Sequence, residues 1–119
     1  MRSIWKLLAL WICLAALGCK SAMITATISN RRTTPVSLIE VDYPSASFGT
    51  QKLEPGAEYH YRFKVIGEGP ATVVWNEGRD QKKSTGPVLH EDDAGTLKLT
   101  FTNDANPTWD VELTNRTVR

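Results

Sequence analysis

Apolar and polar residues alternate with a period of two along most of this chain, and no stretch shows the three-to-four-residue recurrence of an amphipathic helix. The clearest run is Tyr59-His60-Tyr61-Arg62-Phe63-Lys64-Val65. There Tyr59, Tyr61, Phe63 and Val65 fall on one face of a strand and His60, Arg62 and Lys64 on the other, so one face is core and one is wet. Ile24, Ala26 and Ile28 alternate in the same way with Thr25, Thr27 and Ser29. Leu97, Leu99 and Phe101 alternate with Lys98, Thr100 and Thr102, and Trp109, Val111 and Leu113 with Asp110 and Glu112. Between these two late strands lies Asn103-Asp104-Ala105-Asn106-Pro107, a run of turn-forming residues suited to a hairpin loop.

One segment changes phase. From Val36 to Tyr43, Val36 and Leu38 share a face while Ile39, Val41 and Tyr43 take the other, which predicts a β-bulge near Leu38 or burial of both faces. Asn30 to Pro35 break the chain before this strand and Pro44 ends it. Shorter strands around Phe48 to Leu53, Ala71 to Asn76 and Lys83 to Leu89 bring the total to about seven or eight, at intervals of roughly ten residues. The expectation is an all-β fold, a single antiparallel β-sandwich of immunoglobulin-like type.

Leu53-Glu54-Pro55-Gly56-Ala57-Glu58-Tyr59 resembles the Leu-x-Pro-Gly-x-x-Tyr corner of fibronectin type III and related immunoglobulin-like domains. The resemblance implies that Leu53 packs inward, that Pro55 and Gly56 make the turn, and that the Tyr59 hydroxyl returns to the backbone across the corner.

The N-terminal nineteen residues follow a different logic. Arg2 and Lys6 precede an apolar run from Leu7 to Leu17, and Ala16-Leu17-Gly18 stand directly before Cys19. The run is little more than half the ~20 residues that cross a bilayer as a helix, and the small residues at 16 and 18 suit signal-peptidase cleavage. This segment resembles the precursor of a bacterial lipoprotein with a variant lipobox, in which the cysteine is lipidated. The resemblance implies a signal peptide over 1–18, a lipidated N-terminus and short tether over 19–22, and a sandwich domain over 23–119. Cysteine usage agrees: the chain has two cysteines, Cys13 lies inside the cleaved segment, and acylation removes the one thiol that remains. The implied location is extracytoplasmic, in a bacterial cell envelope, with the membrane as one partner.

Fourteen basic residues fall to twelve when Arg2 and Lys6 leave, against thirteen acidic ones, so the mature domain is close to neutral at about −1. That balance argues against nucleic acid as a partner. The pairs Arg31-Arg32 and Lys82-Lys83 read as solvated turns.

Candidate chemistry is sparse. No cysteine pair, His-x-x-x-His, Gly-x-Ser-x-Gly or phosphate-cradling glycine loop occurs, and nothing calls for a cofactor. Ser45, Ser47 and Ser84 with His60 and His90 are the material for a nucleophile and base, but no local pattern selects among them. The acidic turn at His90-Glu91-Asp92-Asp93, with Asp104, offers carboxylates for calcium, although the spacing matches no calcium-loop template. Tyr43, Ser45, Ser47 and Phe48 form a candidate partner-binding loop, since aromatic anchors with small polar residues are typical of contact loops. Asn115-Arg116-Thr117 matches a glycosylation acceptor, a pattern without that meaning in a bacterial lipoprotein. The sequence therefore points to a non-catalytic module for protein interaction or envelope structure. A ligand- or calcium-binding domain and a protease-inhibitor-like domain are the alternatives.

Overall fold

The computed structural model describes residues 22–114. Cys19, the signal over 1–18, the tether up to residue 21 and the Asn115 acceptor lie outside the described residues. Eight strands follow in order: β1 (Ile24–Asn30), β2 (Val36–Tyr43), β3 (Ala46–Leu53), β4 (Glu58–Phe63), β5 (Gly69–Glu77), β6 (Asp80–Leu89), β7 (Gly95–Phe101) and β8 (Thr108–Leu113). They form two four-stranded sheets, β4-β1-β7-β8 and β3-β2-β5-β6. The fold is an all-β sandwich with no helix among the described residues.

Three connections are hairpins within a sheet, β2–β3, β5–β6 and β7–β8, and the other four cross between sheets. Every neighbouring pair is antiparallel except β1 and β7, which run parallel in continuous register from Ile24 opposite Gly95 to Asn30 opposite Phe101. The strand order is distinct from that of an immunoglobulin domain, where the first two strands pair in one sheet. Here β1 and β2 belong to different sheets, and the last three residues of β1 are all buried.

The alternating apolar residues fill the space between the sheets. Ile24, Ala26 and Ile28 from β1, Leu97, Leu99 and Phe101 from β7, and Val73 and Trp75 from β5 are buried at its centre. Trp75 meets Phe101 edge to face at 5.1 Å between ring centroids.

The phase change in β2 is a bulge. Its register against β5 shifts between Ser37 and Glu40, and Leu38 takes a left-handed φ of 50°. The extra residue rotates the strand so that Val36, Ile39 and Val41 all reach the core, while Leu38 does not share the face of Val36 and is 55% exposed.

Aromatic side chains close both open flanks between the sheets. On the β3–β4 flank Phe48 stacks on Tyr61 at 4.6 Å and 15°, and Tyr43 lies 4.3 Å from Phe63. On the β6–β8 flank the Trp109 indole lies against Gly86, where an added Cβ would come within 2.5 to 2.7 Å of the ring, and its Nε1–H donates to Ser84 Oγ at 3.1 Å. The β5–β6 register shifts beside this contact, between Pro70 and Thr72.

Candidate functional site

The residues singled out for function sort onto the two ends and the outer faces of the sandwich. At the end where β1 begins, three connections meet: the β2–β3 turn at Pro44 and Ser45, the β4–β5 loop and the β6–β7 turn. Ser45 Oγ accepts the Ile66 N–H at 3.3 Å and donates to Lys64 O at 3.5 Å, tying the turn to the β4–β5 loop. The rings of the candidate contact loop turn inward. Phe48 is buried and Tyr43 half-buried in the aromatic cluster, leaving Ser45 and Ser47 exposed. Burial pushes the Tyr43 hydroxyl above its ordinary 10.0, and the neighbouring Tyr61 adds to the shift.

The acidic turn joins the same end. Asp93 is completely buried, and its Oδ2 accepts the His90 backbone N–H at 2.8 Å. His90 Nε2 reaches Glu68 Oε1 at 3.2 Å, its Nδ1 lies 3.8 Å from Asp93 Oδ2, and Glu91 Oε1 accepts the Gly67 N–H at 2.9 Å. These contacts sew the β6–β7 turn to the β4–β5 loop. Asp92 is exposed at φ 66°, a left-handed conformation that aspartate tolerates. Asp104 belongs to the β7–β8 loop, at the opposite end of β7, so the four carboxylates proposed for calcium do not share a site. Among the described residues no three histidine, cysteine, aspartate or glutamate side chains converge as a metal site would require. His90 Nδ1 and Asp93 Oδ1 are buried without hydrogen-bond partners.

Of the three serines named as nucleophiles, Ser84 accepts from Trp109 and Ser45 ties two loops together, while Ser47 is exposed on β3. The hydroxyl that does meet a histidine is Thr27, whose Oγ1 lies 3.1 Å from His60 Nδ1, with His60 Nε2 3.5 Å from Glu58 Oε1. This line lies on the outer face of the β4-β1-β7-β8 sheet, and His60 is exposed as the alternation predicts. Backbone N–H groups of a central strand such as β1 serve the ladder, and the cross-strand neighbour of Thr27 on β7 is Lys98.

At the far end the corner holds, by different atoms than the resemblance implies. Leu53 is buried, Gly56 takes a φ of 80°, and Ala57 N–H donates to Glu54 O at 3.0 Å. Among the described residues the Tyr59 hydroxyl makes no hydrogen bond to the backbone. Asn30 holds the corner instead. Its Nδ2 donates to Leu53 O at 2.8 Å and Thr34 O at 3.0 Å, and its Oδ1 accepts the Arg32 N–H at 2.9 Å. Its backbone N–H donates to Ala57 O at 3.0 Å and its carbonyl accepts the Gly56 N–H at 2.7 Å.

Arg32 corrects the reading of its pair as solvated. Arg31 is exposed, but the Arg32 side chain is only 11% accessible. It donates to Thr102 O at 2.6 Å, to Asp104 O at 3.1 Å and to Glu77 Oε1, and its guanidinium lies 5.5 Å from the Phe101 ring centre. Glu77 also accepts the Trp75 Nε1–H at 3.1 Å. The Arg32 hydrogen bond, then that of Trp75, holds the Glu77 carboxyl below its usual 4.5. Lys82 and Lys83 are exposed in strand β6 and not in a turn.

No family model, no curated protein sequence and no solved structure matches this chain. Its function has to be argued from its own residues.

Proposed function

We propose that this chain is a non-catalytic, extracytoplasmic β-sandwich module that is tethered to a bacterial envelope membrane by a lipid on Cys19 and serves protein interaction or envelope structure. The observation that carries the reading is the layout of residues 1–19: two basic residues, an apolar run too short to span, and small residues before a cysteine. The start of β1 at Ile24 supports it, because Met23 O already accepts the Gly95 N–H, and residues 20–22 then form the whole tether and reach at most about 11 Å when extended. Acyl chains supply the membrane affinity at ~0.8 kcal/mol for each buried methylene, so the folded domain itself needs no apolar membrane face.

Intact-mass spectrometry of protein purified from bacterial membranes tests the reading, alongside fractionation of Cys19→Ser. The expected mass is that of a chain beginning at Cys19 with added acyl groups, and Cys19→Ser should move to the soluble extracytoplasmic fraction. An unacylated mass, or Cys19→Ser retained in the membrane, would overturn it.

A further inference from the structure

A sheet edge displays unpaired backbone N–H and C=O groups, and proteins guard such edges with charges, prolines or bulges. Three of the four edges here are guarded. β4 carries Glu58, His60 and Arg62, β6 carries Lys82, Lys83 and Pro87, and β8 carries Asp110 and Glu112. β3 carries no charge and no proline from Ala46 to Gln51, and its Lys52 is paired with Glu54 at 3.3 Å.

Beside this bare edge lies a groove of about 370 Å³ on β2 and β3, lined by Leu38, Glu40, Ser47, Phe48, Gly49 and Gln51. One of its features is unfavourable in the isolated domain: Leu38 is an exposed leucine held in left-handed backbone. Gly49 is required by the close approach of β2, since an added Cβ would fall 2.0 Å from the Ile39 carbonyl oxygen. Gly49 is directly opposite Glu40, and Ser47 opposite Asp42. The outer row at this edge is therefore acidic, and among the described residues neither Glu40 nor Asp42 makes an ion pair.

We infer that the free edge of β3 takes an extended peptide segment with basic side chains, adding it as a fifth strand next to β3, with a basic side chain lying across Gly49 towards Glu40. Backbone hydrogen bonds to the edge supply affinity that any extended segment shares. The specificity comes from the outer face: the stem of a lysine or arginine crosses Gly49 and covers the Leu38 side chain, and its head meets Glu40 and Asp42. This inference rests on the protein-interaction reading above, and it names the surface and the chemistry of the partner.

The test is fluorescence anisotropy with the full chain in detergent micelles and three labelled synthetic peptides. One has the alternating sequence Thr-Lys-Val-Lys-Thr-Lys-Val-Thr, one replaces every lysine by glutamate, and one replaces alternate residues by proline while keeping the lysines. The basic strand should bind at least about tenfold tighter than the other two. Glu40→Lys should erase that preference. Ser47→Lys combined with Gln51→Lys, which installs the charges that guard the other edges, should abolish binding without moving the unfolding midpoint. Amide chemical-shift changes should centre on residues 46–52.

Equal binding of the basic and proline-bearing peptides, shifts centred on another edge, or no saturable binding would each overturn the inference. So would a dimer that the two lysines dissociate, because the edge would then be occupied by a second copy. Cys19→Ser should leave peptide affinity unchanged, so failure of the lipid anchor and failure of the β3 site are separate results.

Discussion

Replacing Asn30 by alanine tests whether a side chain, and not the tyrosine of the corner motif, holds the far end of the sandwich together. Asn30 is 0% exposed, and its side chain makes three hydrogen bonds that reach into two other segments: the loop before β2 and the end of β3. Each such bond contributes about 1 kcal/mol net, and the buried Leu53 carbonyl left without a donor adds a desolvation cost of about 1 kcal/mol or more. The two backbone bonds of Asn30 survive the substitution. The expected loss is therefore about 4 kcal/mol, which for a domain of this size lowers the unfolding midpoint by roughly 16 to 32 °C. Asn30→Asp sharpens the test, because it sets a carboxylate against the carbonyls of Thr34 and Leu53. That contact raises the carboxyl pKa in the folded state, so the variant should be least stable at neutral pH and gain on the wild type as pH falls through the raised value. Tyr59→Phe is the companion measurement and should cost less than about 0.5 kcal/mol. Thermal and urea unfolding followed by circular dichroism read all three. A loss below about 1 kcal/mol for Asn30→Ala, or a larger loss for Tyr59→Phe, would refute this account.

The Arg32–Glu77 pair predicts an acid limb of stability. The folded carboxyl is depressed, so its contribution is fully present above about pH 5, and it is lost as pH falls from the ordinary 4.5 through the lower folded value. Glu77→Gln should flatten urea-unfolding midpoints across that window, and an unchanged slope would count against the pair. Gly86→Ala drives a Cβ into the Trp109 ring and should cost about 1 to 3 kcal/mol, with loss of near-ultraviolet dichroism from the displaced indole. A neutral result there would mean that the flank is not closed by this contact. Leu38→Gly relieves left-handed backbone at a mostly exposed position and should stabilise by about 0.5 to 1 kcal/mol in the same unfolding assays. Destabilisation by more than about 1 kcal/mol would show that Leu38 contributes packing that its exposure does not reveal.

What could be read from the sequence and what could not divides along the distance between interacting residues. Alternation is a local property, so the core rows of β1, β7 and β8 were readable from apolar residues that repeat every second position, whereas on β4 only Phe63 of the expected row is buried and Tyr61 is 38% exposed. The bulge was readable for the same reason, since one inserted residue shifts the phase of everything after it. Its consequence for Leu38 was not, because exposure depends on which of the two faces lies over the other sheet. Asn30 looked like an ordinary turn residue, and only the fold brings Leu53, 23 residues away, within its reach. Arg32 depended on Glu77 and Thr102 in the same way, 45 and 70 residues away. The Pro-Gly corner was recognised by its residues, but a seven-residue motif carries no information about which side chain of the first strand closes it. At the candidate site the composition of Tyr43 to Phe48 suggested contact, whereas the rings pack inward and the accessible feature is the edge of the strand that follows.

On the proposed reading, the topology separates anchoring from recognition. β1, the strand nearest Cys19, is a central strand, paired with β4 on one side and β7 on the other. A pull through the proposed tether would load both ladders along their length, so many hydrogen bonds would have to yield together before β1 moved. An edge strand in the same place would present a single ladder to the same pull. The proposed recognition edge belongs to the other sheet and meets β1 through the packed core, through the connections β1–β2 and β3–β4, and through Asn30 at the far end. A strand added to β3 therefore neither displaces a partner of β1 nor needs the tether to move. Because β3 runs from Ala46, at the end where β1 begins, to Leu53 at the opposite end, an eight-residue edge of about 26 Å would stay exposed along the flank of the domain. That length would leave the edge accessible even with only residues 20–22 between the proposed lipid and the sandwich.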